Sequence, residues 1–360
     1  MTIAPLPTFT PVEHLAPPRL DETPAAALRR LRDEVPAFKE WFRATGTVTA
    51  FASRDLVTLP YPKQFGLWEA CTAPTKFVWM TNRLMVVQWR EGERLRTLLA
   101  EPSDYELGIE TPYLRHAVDR LPVSENLARK YLFTEHQTVL QHCAALGIRP
   151  EDVDYLTFDH LHTQDIRRLV GTKDGSHAPM FPNAELIVQR VELEHVKDVH
   201  PFQARFHQSW TYADVDESRL RVIDGSVLVA PGLALLRTPG HTLGNHTIVV
   251  NTPDRGILTS SENGIAVECY APEHSTLPGV AKFARAWGYE VILNFNTPEY
   301  ASWQYNAMVV EKLVADPIPS HPHLPQVMPS SELTRNKLAP RVHPTFEHGE
   351  LTLGRVEATA

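Results

Sequence analysis

Cysteine and long apolar runs are both scarce in this chain of 360 residues. Its three cysteines, Cys71, Cys143 and Cys269, lie far apart and form no CxxC pair, which argues against a disulfide scaffold or a zinc knuckle and favours a reducing cytoplasm. No apolar run approaches the roughly 18 residues that a membrane-spanning helix needs, and the N-terminal segment lacks the charged start and apolar stretch of a signal peptide. We therefore expect a soluble cytoplasmic protein with no membrane partner.

Clustered basic charge is missing as well. Asp and Glu number 43 against 35 Lys and Arg, a net charge of -8, and no stripe of basic residues could neutralise phosphates, which argues against nucleic acid as a partner. Glycine is scarce at 17 residues and proline abundant at 30, so proline sets many of the turns. A hydrophobic fraction of 43% predicts a sizeable buried core.

The N-terminal 45 residues differ from the rest of the chain. Residues 1–24 are rich in proline and show no periodicity, which is typical of an extended arm that either clasps a dimer partner or is disordered. Apolar residues then recur at helical spacing, and Pro36 is expected to divide this segment into a short helical pair. We predict an extension over 1–45, a single domain over 46–360 and a homodimer in which the apolar helical face is covered.

From residue 76 onward, short apolar strands alternate with helical segments. The order is strands, helices, a second group of strands and then helices again. This order predicts an α/β fold in which sheets and helices form layers.

A first group of candidate ligands follows the predicted strand that ends in Asp159. His160 and His162 are two residues apart, so their side chains leave the same face of an extended backbone and can converge on one ion. Asp165 opens the next helix and could join them, or it could be the N-cap or first-turn acid of that helix. Asp159 could accept a proton from a ligand histidine or serve only in the turn.

Three further candidates lie far along the chain, each near the exit from a predicted element. The turn TPGH presents His241, Glu262 follows the strand in GILTSSEN, and His321 lies in the loop IPSHPH. His246 is interpreted as a packing residue. A metal site assembled from distant loops of a layered sandwich requires a series of this kind.

These stretches resemble the metallo-β-lactamase fold superfamily over roughly residues 45–330. HLHTQD stands at the family's HxHxDH motif, and FPNAE and TPGHTLGNH look most like its lactonase and related hydrolase branches. The resemblance implies a four-layered αββα sandwich with a dinuclear metal centre. It implies His160, His162 and His241 for the first metal, Glu262 as the bridging carboxylate, and His321, with His323 as a substitute, for the second.

The sequence also departs from the family pattern. Gln164 stands at the family's aspartate and Asp165 at its fourth histidine, so the second metal site is rewritten. A tyrosine that acyl-homoserine lactonases carry three residues after the bridging acid is Ile265 here, which weakens a strict lactonase assignment.

We predict a metallohydrolase with two divalent metals, zinc by family, in which a metal-bound hydroxide attacks an ester, lactone or amide carbonyl of a small molecule. Asp165 and Glu262 are the candidate catalytic carboxylates. Because oxygen-rich ligation also suits iron or manganese, an iron oxygenase on the same fold is an alternative. A second alternative is a binding or scaffold protein whose centre no longer works, for which Gln164 is the main indication.

Overall fold

The computed structural model describes residues 8–17, 21–119, 124–208 and 210–358. The strands over these residues are β1 (Thr10–Pro11), β2 (Ala50–Pro62), β3 (Phe77–Glu91), β4 (Arg94–Ala100), β5 (Thr134–Glu135), β6 (Tyr155–Thr157), β7 (Glu185–Gln189), β8 (Leu220–Ile223), β9 (Val227–Ala230), β10 (Leu233–Arg237), β11 (His246–Thr252), β12 (Gly256–Ser261), β13 (Pro317–Ile318), β14 (His321–Pro325), β15 (Val327–Pro329), β16 (Ser331–Thr334) and β17 (Leu351–Gly354).

The helices are α1 (Pro24–Thr45), α2 (Lys63–Gly66), α3 (Tyr105–Gly108), α4 (Pro112–Asp119), α5 (Glu125–Leu132), α6 (Val139–Ala145), α7 (Arg167–Val170), α8 (Arg190–Lys197), α9 (Val280–Trp287) and α10 (Ala301–Val314). Among the residues described, no helix combines the length and the apolar character that crossing a membrane would need.

The strands form two sheets and a small hairpin. The larger sheet has the order β17-β2-β3-β4-β6-β7-β8, with β16 added to β3 and β5 to β2, and the smaller sheet has the order β1-β9-β10-β11-β12-β15. In the larger sheet β4 and β6 are parallel, and in the smaller sheet β12 and β15 are parallel, with Ser261 opposite Pro329. The residues after β12 and β15, Glu262 and Ser330, therefore leave their sheet at one edge.

The two sheets pack face to face, and helices cover both outer faces. Phe51 and Leu98 of the larger sheet share one buried cluster with Ile248 of the smaller sheet. Helices α6 and α7 pack on the other face of the larger sheet, and α1 and α10 pack on the other face of the smaller one. Since each sheet buries apolar side chains on both faces, this is the four-layered αββα sandwich that the sequence predicts, and that prediction is confirmed.

The predicted break at Pro36 is wrong. Helix α1 is one element of 22 residues, with Pro24 in its first turn and the Thr23 side chain accepting a hydrogen bond from the backbone of Ala26. Its apolar face, which includes Phe38 and Phe42, is buried with α10 and the smaller sheet. Burial of this face over the whole length outweighs the loss of one backbone hydrogen bond at Pro36.

Candidate metal centre

Three histidines converge where β6 and β10 end. His160 and His162 lie in the segment after β6, and His241 lies in the turn between β10 and β11. Each offers a ring nitrogen, and these nitrogens all lie within 4.8 Å of one another. Over the described ranges this is the one group of three or more His, Cys, Asp or Glu side chains that meets this spacing. The side chains are 1% to 6% exposed, so the cluster is buried.

Asp159 fixes the orientation of His160. Its Oδ1 lies 2.5 Å from Nδ1 of His160, and its Oδ2 accepts hydrogen bonds from the backbone of Glu262 and the hydroxyl of Ser330. A carboxylate on one ring nitrogen leaves the other nitrogen directed at the cluster, which is the usual support of a metal-ligating histidine. Burial lowers the pKa of His160, but the negative charges of Asp159 and Glu262 outweigh it and raise this pKa to about 9.

His162 and His241 have the opposite electrostatics. Burial, and then the positive charge of nearby imidazoles, holds the pKa of each ring well below its usual value, so both rings are neutral. Nε2 of His162 and Nδ1 of His241 are buried and have no hydrogen-bond partner among the described residues. A neutral imidazole nitrogen without a partner is a ligand for a divalent transition metal, so the residues present fit a metal ion.

The three histidines line one cavity, which we call the metal cavity, and Glu262 adds a carboxylate to its wall. Oε2 of Glu262 accepts a hydrogen bond from the hydroxyl of Ser331 at 2.8 Å and lies 3.0 Å from the hydroxyl of Ser330, which shares its one proton with Oδ2 of Asp159. Burial, and then the charge of Asp159, raises the pKa of Glu262 to about 7. A further acid, Glu101 after β4, lines the cavity with a backbone φ of 56° and accepts the N–H of Asp159. Positive φ at a non-glycine residue is a strain that clusters at functional sites.

Two of the predicted ligands are not brought to the cluster. The Asp165 carboxylate forms a two-point ion pair with Arg167, at 2.8 and 2.9 Å, and does not line the cavity. His321 belongs to β14 of the hairpin, where its ring packs against Phe346 and His323. Arg167, two residues later in the chain, holds the Asp165 carboxylate in an ion pair. The hairpin that contains His321 is separate from β15, the strand that leads to Ser330. His246 is buried in β11, with Nε2 3.1 Å from the Thr157 hydroxyl.

Glu192 of α8 joins the two histidine-bearing loops and was not identified from the sequence. Its Oε1 accepts the N–H of Leu161, between the first two histidines, and its Oε2 accepts the hydroxyl of Thr242 and the N–H of Gly244 beyond the third. A Cβ on Gly244 would lie 2.3 Å from Cβ of Glu192, so the loop can approach the helix only with glycine there. The sequence signal that could have identified Glu192 is its helical spacing: it lies four residues before Val196, and the two share the buried face of α8.

We expect Glu192→Gln to weaken metal binding about 10- to 100-fold, the usual effect of losing a partner that supports metal ligands. The amide can replace Oε1 as acceptor, but its NH₂ group would face the Thr242 hydroxyl and the Gly244 N–H. Zinc titration against a competing chelator measures the change. Glu194→Gln on the exposed side of the same helix is the matched control. Equal zinc affinity in both variants would contradict this role of Glu192.

A second, apolar pocket adjoins the metal cavity and shares part of its wall. Side chains such as Phe77, Ile109, Val118 and Phe133 line this apolar pocket, and Tyr61 with several neighbours lines both spaces. Much of the apolar wall comes from the segment that contains α3, α4 and α5. A small molecule can therefore place a polar group at the histidines and an uncharged arm in the apolar pocket.

The four-layered αββα sandwich is that of the metallo-β-lactamase fold, and the chain has this fold. A structure described as a probable metal-dependent hydrolase from Staphylococcus aureus has a TM-score of 0.51 at 14% identity, over 73% of this chain and 85% of that one. The structure of AidC, described as a dizinc quorum-quenching lactonase, has a TM-score of 0.50 at 13% identity, over 84% and 96%.

Sequence comparison finds lactonases. An N-acyl homoserine lactonase of Bacillus cereus is 27% identical over 126 residues, 35% of this chain and 44% of that protein, and one from Bacillus sp is 28% identical over 123 residues, 34% and 43%. The chain thus spans less than half the length of the curated relatives it matches. No protein-family model matches the chain. The predicted resemblance to the lactonase-like branch of the superfamily is confirmed.

Proposed function

We propose that the protein is a metal-dependent hydrolase of small esters or lactones that carry an apolar arm. The observation that carries this proposal is the three-histidine cluster in a cavity that shares its wall with an apolar pocket. The lactonase names of the sequence relatives support a lactone or ester as the class of substrate. A divalent ion on the histidines would polarise the carbonyl and lower the pKa of a bound water.

The chain's own residues supply orientation and hydrogen bonds. His160, His162 and His241 would hold the ion, and Asp159 fixes the first of these rings. Glu262, on the same cavity, provides an acceptor for a proton of water. Tyr61 lines both the metal cavity and the apolar pocket. Burial and the charge of Glu262 raise the pKa of Tyr61 well above its usual value, so its hydroxyl stays protonated.

The substrate arm is proposed to be uncharged. The charged residue on the described wall of the apolar pocket is Asp104, and its Oδ1 is already used by the N–H of Val139. The remaining wall is aliphatic and aromatic, with a few neutral polar groups. An anionic arm would lose its hydration there without gaining a partner, and a cationic arm would find only the Asp104 carboxylate.

Zinc is the metal we propose. A set of three imidazole nitrogens is a common catalytic zinc ligand set. The case for iron or manganese, and with it the iron oxygenase, depended on oxygen ligation by Asp165 and Glu262 together, and the Asp165 carboxylate is paired with Arg167. The hydrolase is therefore better supported than the oxygenase.

The test is a series of acyl lactones and acyl esters of increasing chain length. We expect zinc-dependent hydrolysis whose kcat/KM rises up to about fourfold per methylene, since a buried methylene contributes about 0.8 kcal/mol. Ala117→Trp, on the wall of the apolar pocket, should abolish this rise and leave the shortest substrate unaffected. His116→Trp, exposed on the same helix, is the control. Absence of zinc-dependent hydrolysis across the series would overturn the proposal.

Three sequence predictions remain proposals. A cytoplasmic location is supported by three free, buried cysteines, Cys71, Cys143 and Cys269. We retain the domain over 46–360 with an extension over 1–45, although α1 packs on α10 of the same chain. A homodimer would therefore use a surface other than the apolar face of α1, and sedimentation of the purified protein tests it.

A further inference from the structure

We infer that this centre holds one metal ion per chain, with hydrogen-bonded and ion-paired side chains in the place of a second ion. The inference rests on the proposed function only in taking the three histidines as a metal site. The resemblance to the superfamily implies two ions, so this chain would depart from that pattern. Three observations support it.

The first is the use of the Glu262 carboxylate. β12 and β15 are parallel neighbours, so the residue that faces Glu262 across the cavity edge is Ser330. The Ser331 hydroxyl donates to Oε2 of Glu262, and the Ser330 hydroxyl shares its one proton between this oxygen and Oδ2 of Asp159. A hydroxyl that donates its proton to a carboxylate oxygen competes with a cation for that oxygen. Glu262 is therefore held as a hydrogen-bond acceptor.

The second is the state of the two residues in the rewritten motif. Gln164 lines the cavity, but its Oε1 accepts the backbone N–H groups of His162 and Thr163, both at 3.0 Å. Asp165 is turned to Arg167. A neutral amide oxygen engaged by two donors is a poor ligand, and a carboxylate in an ion pair is not offered to the cavity.

The third is an ion-pair network beside the same place, which engages the nearby carboxylates. Arg83 lines the cavity, and its backbone N–H donates to the carbonyl of Ser330. Its guanidinium is 2% exposed and is paired with Asp55 and Glu332. The guanidinium therefore engages both carboxylates, so neither Asp55 nor Glu332 is free to hold a second ion. A second ion would thus find no second ligand cluster over the described residues.

Zinc stoichiometry tests the inference. Metal-free protein is dialysed against zinc, freed of excess zinc, and measured by plasma mass spectrometry and by native mass spectrometry. We expect one zinc per wild-type chain and, in the control, none in the variant His160→Ala, His241→Ala. A second variant, Gln164→Asp, Asp165→His and Ser330→His, adds three metal-ligating side chain types at these positions, and we expect it to take up a second zinc. Circular dichroism confirms that each variant is folded.

The outcomes separate this inference from the proposed function. Two zinc ions per wild-type chain would overturn the inference while leaving a hydrolase possible. One zinc per chain without hydrolysis of any lactone or ester would support the inference and overturn the proposed function. No zinc in the wild type would overturn both. The wild-type ratio decides by itself if the second variant does not fold.

Discussion

His162→Ala should abolish zinc binding and reduce kcat/KM by at least about a thousandfold, while the protein stays folded. Loss of one of three ligands leaves a two-histidine site, and a thousandfold loss corresponds to about 4 kcal/mol of lost transition-state stabilisation. Folding should survive because the ring's Nε2 makes no hydrogen bond in the described structure. Metal analysis, circular dichroism and hydrolysis of a long-chain lactone are measured on the same preparation.

His200→Ala is the matched control, since His200 is exposed and remote in sequence from the cluster. We expect it to bind zinc and hydrolyse substrate as the wild type does. Full zinc content in His162→Ala would contradict the three-histidine site. His321→Ala separates the sequence prediction from the structure. Loss of a direct ligand would lower the zinc content, whereas loss of a hairpin residue packed on Phe346 would not.

The histidine cluster could be predicted because its signals are local. His160 and His162 share a face of one extended segment, and the turn before His241 is written in Thr238, Pro239 and Gly240. Each of these features depends on fewer than ten neighbouring residues. The layered α/β class was likewise predictable from the order of strands and helices, whereas its four-layered αββα form was implied by the resemblance to the superfamily.

The supports of the cluster could not be predicted because they depend on contacts between distant segments. Ser330 reaches Glu262 only through the parallel pairing of β12 with β15, a strand of three residues that no periodicity reveals. His321 has the expected residue type in the expected region but precedes that strand. Glu192 acts on loops 31 and 52 residues away in sequence.

The removal of Glu332 should cost about 3–5 kcal/mol of unfolding free energy, because it leaves a buried arginine with one partner fewer. Glu332 is fully buried, its Oε2 lies 2.6 Å from Arg83, and its Oε1 lies 2.8 Å from Nδ1 of His348. We expect Glu332→Ala to lower the urea concentration at the midpoint of unfolding strongly. Glu217→Ala, which breaks the exposed pair with Lys197, should leave it unchanged.

The difference in unfolding free energy between wild type and Glu332→Ala should decrease at acidic pH. Burial alone would raise the pKa of Glu332, but the charges of Arg83 and His348 outweigh it and lower this pKa from 4.5 to about 2. The carboxylate therefore contributes its full stabilisation above pH 4.5 and loses it as the pH falls towards 2. The difference in unfolding free energy between wild type and Glu332→Ala should narrow over that range, and a constant difference would contradict the ion pair.

The same pair connects stability to the metal cavity. Glu332 lies on β16 next to Ser331, which donates to Glu262, and β16 is paired with β3, the strand that carries Arg83. Loosening β16 would free the Glu262 carboxylate from the serine hydroxyls. We therefore expect Glu332→Ala to weaken hydrolysis as well as folding at neutral pH, with zinc content unchanged because the three histidines lie on other elements. A loss of zinc in this variant would show that β16 supports the histidines directly.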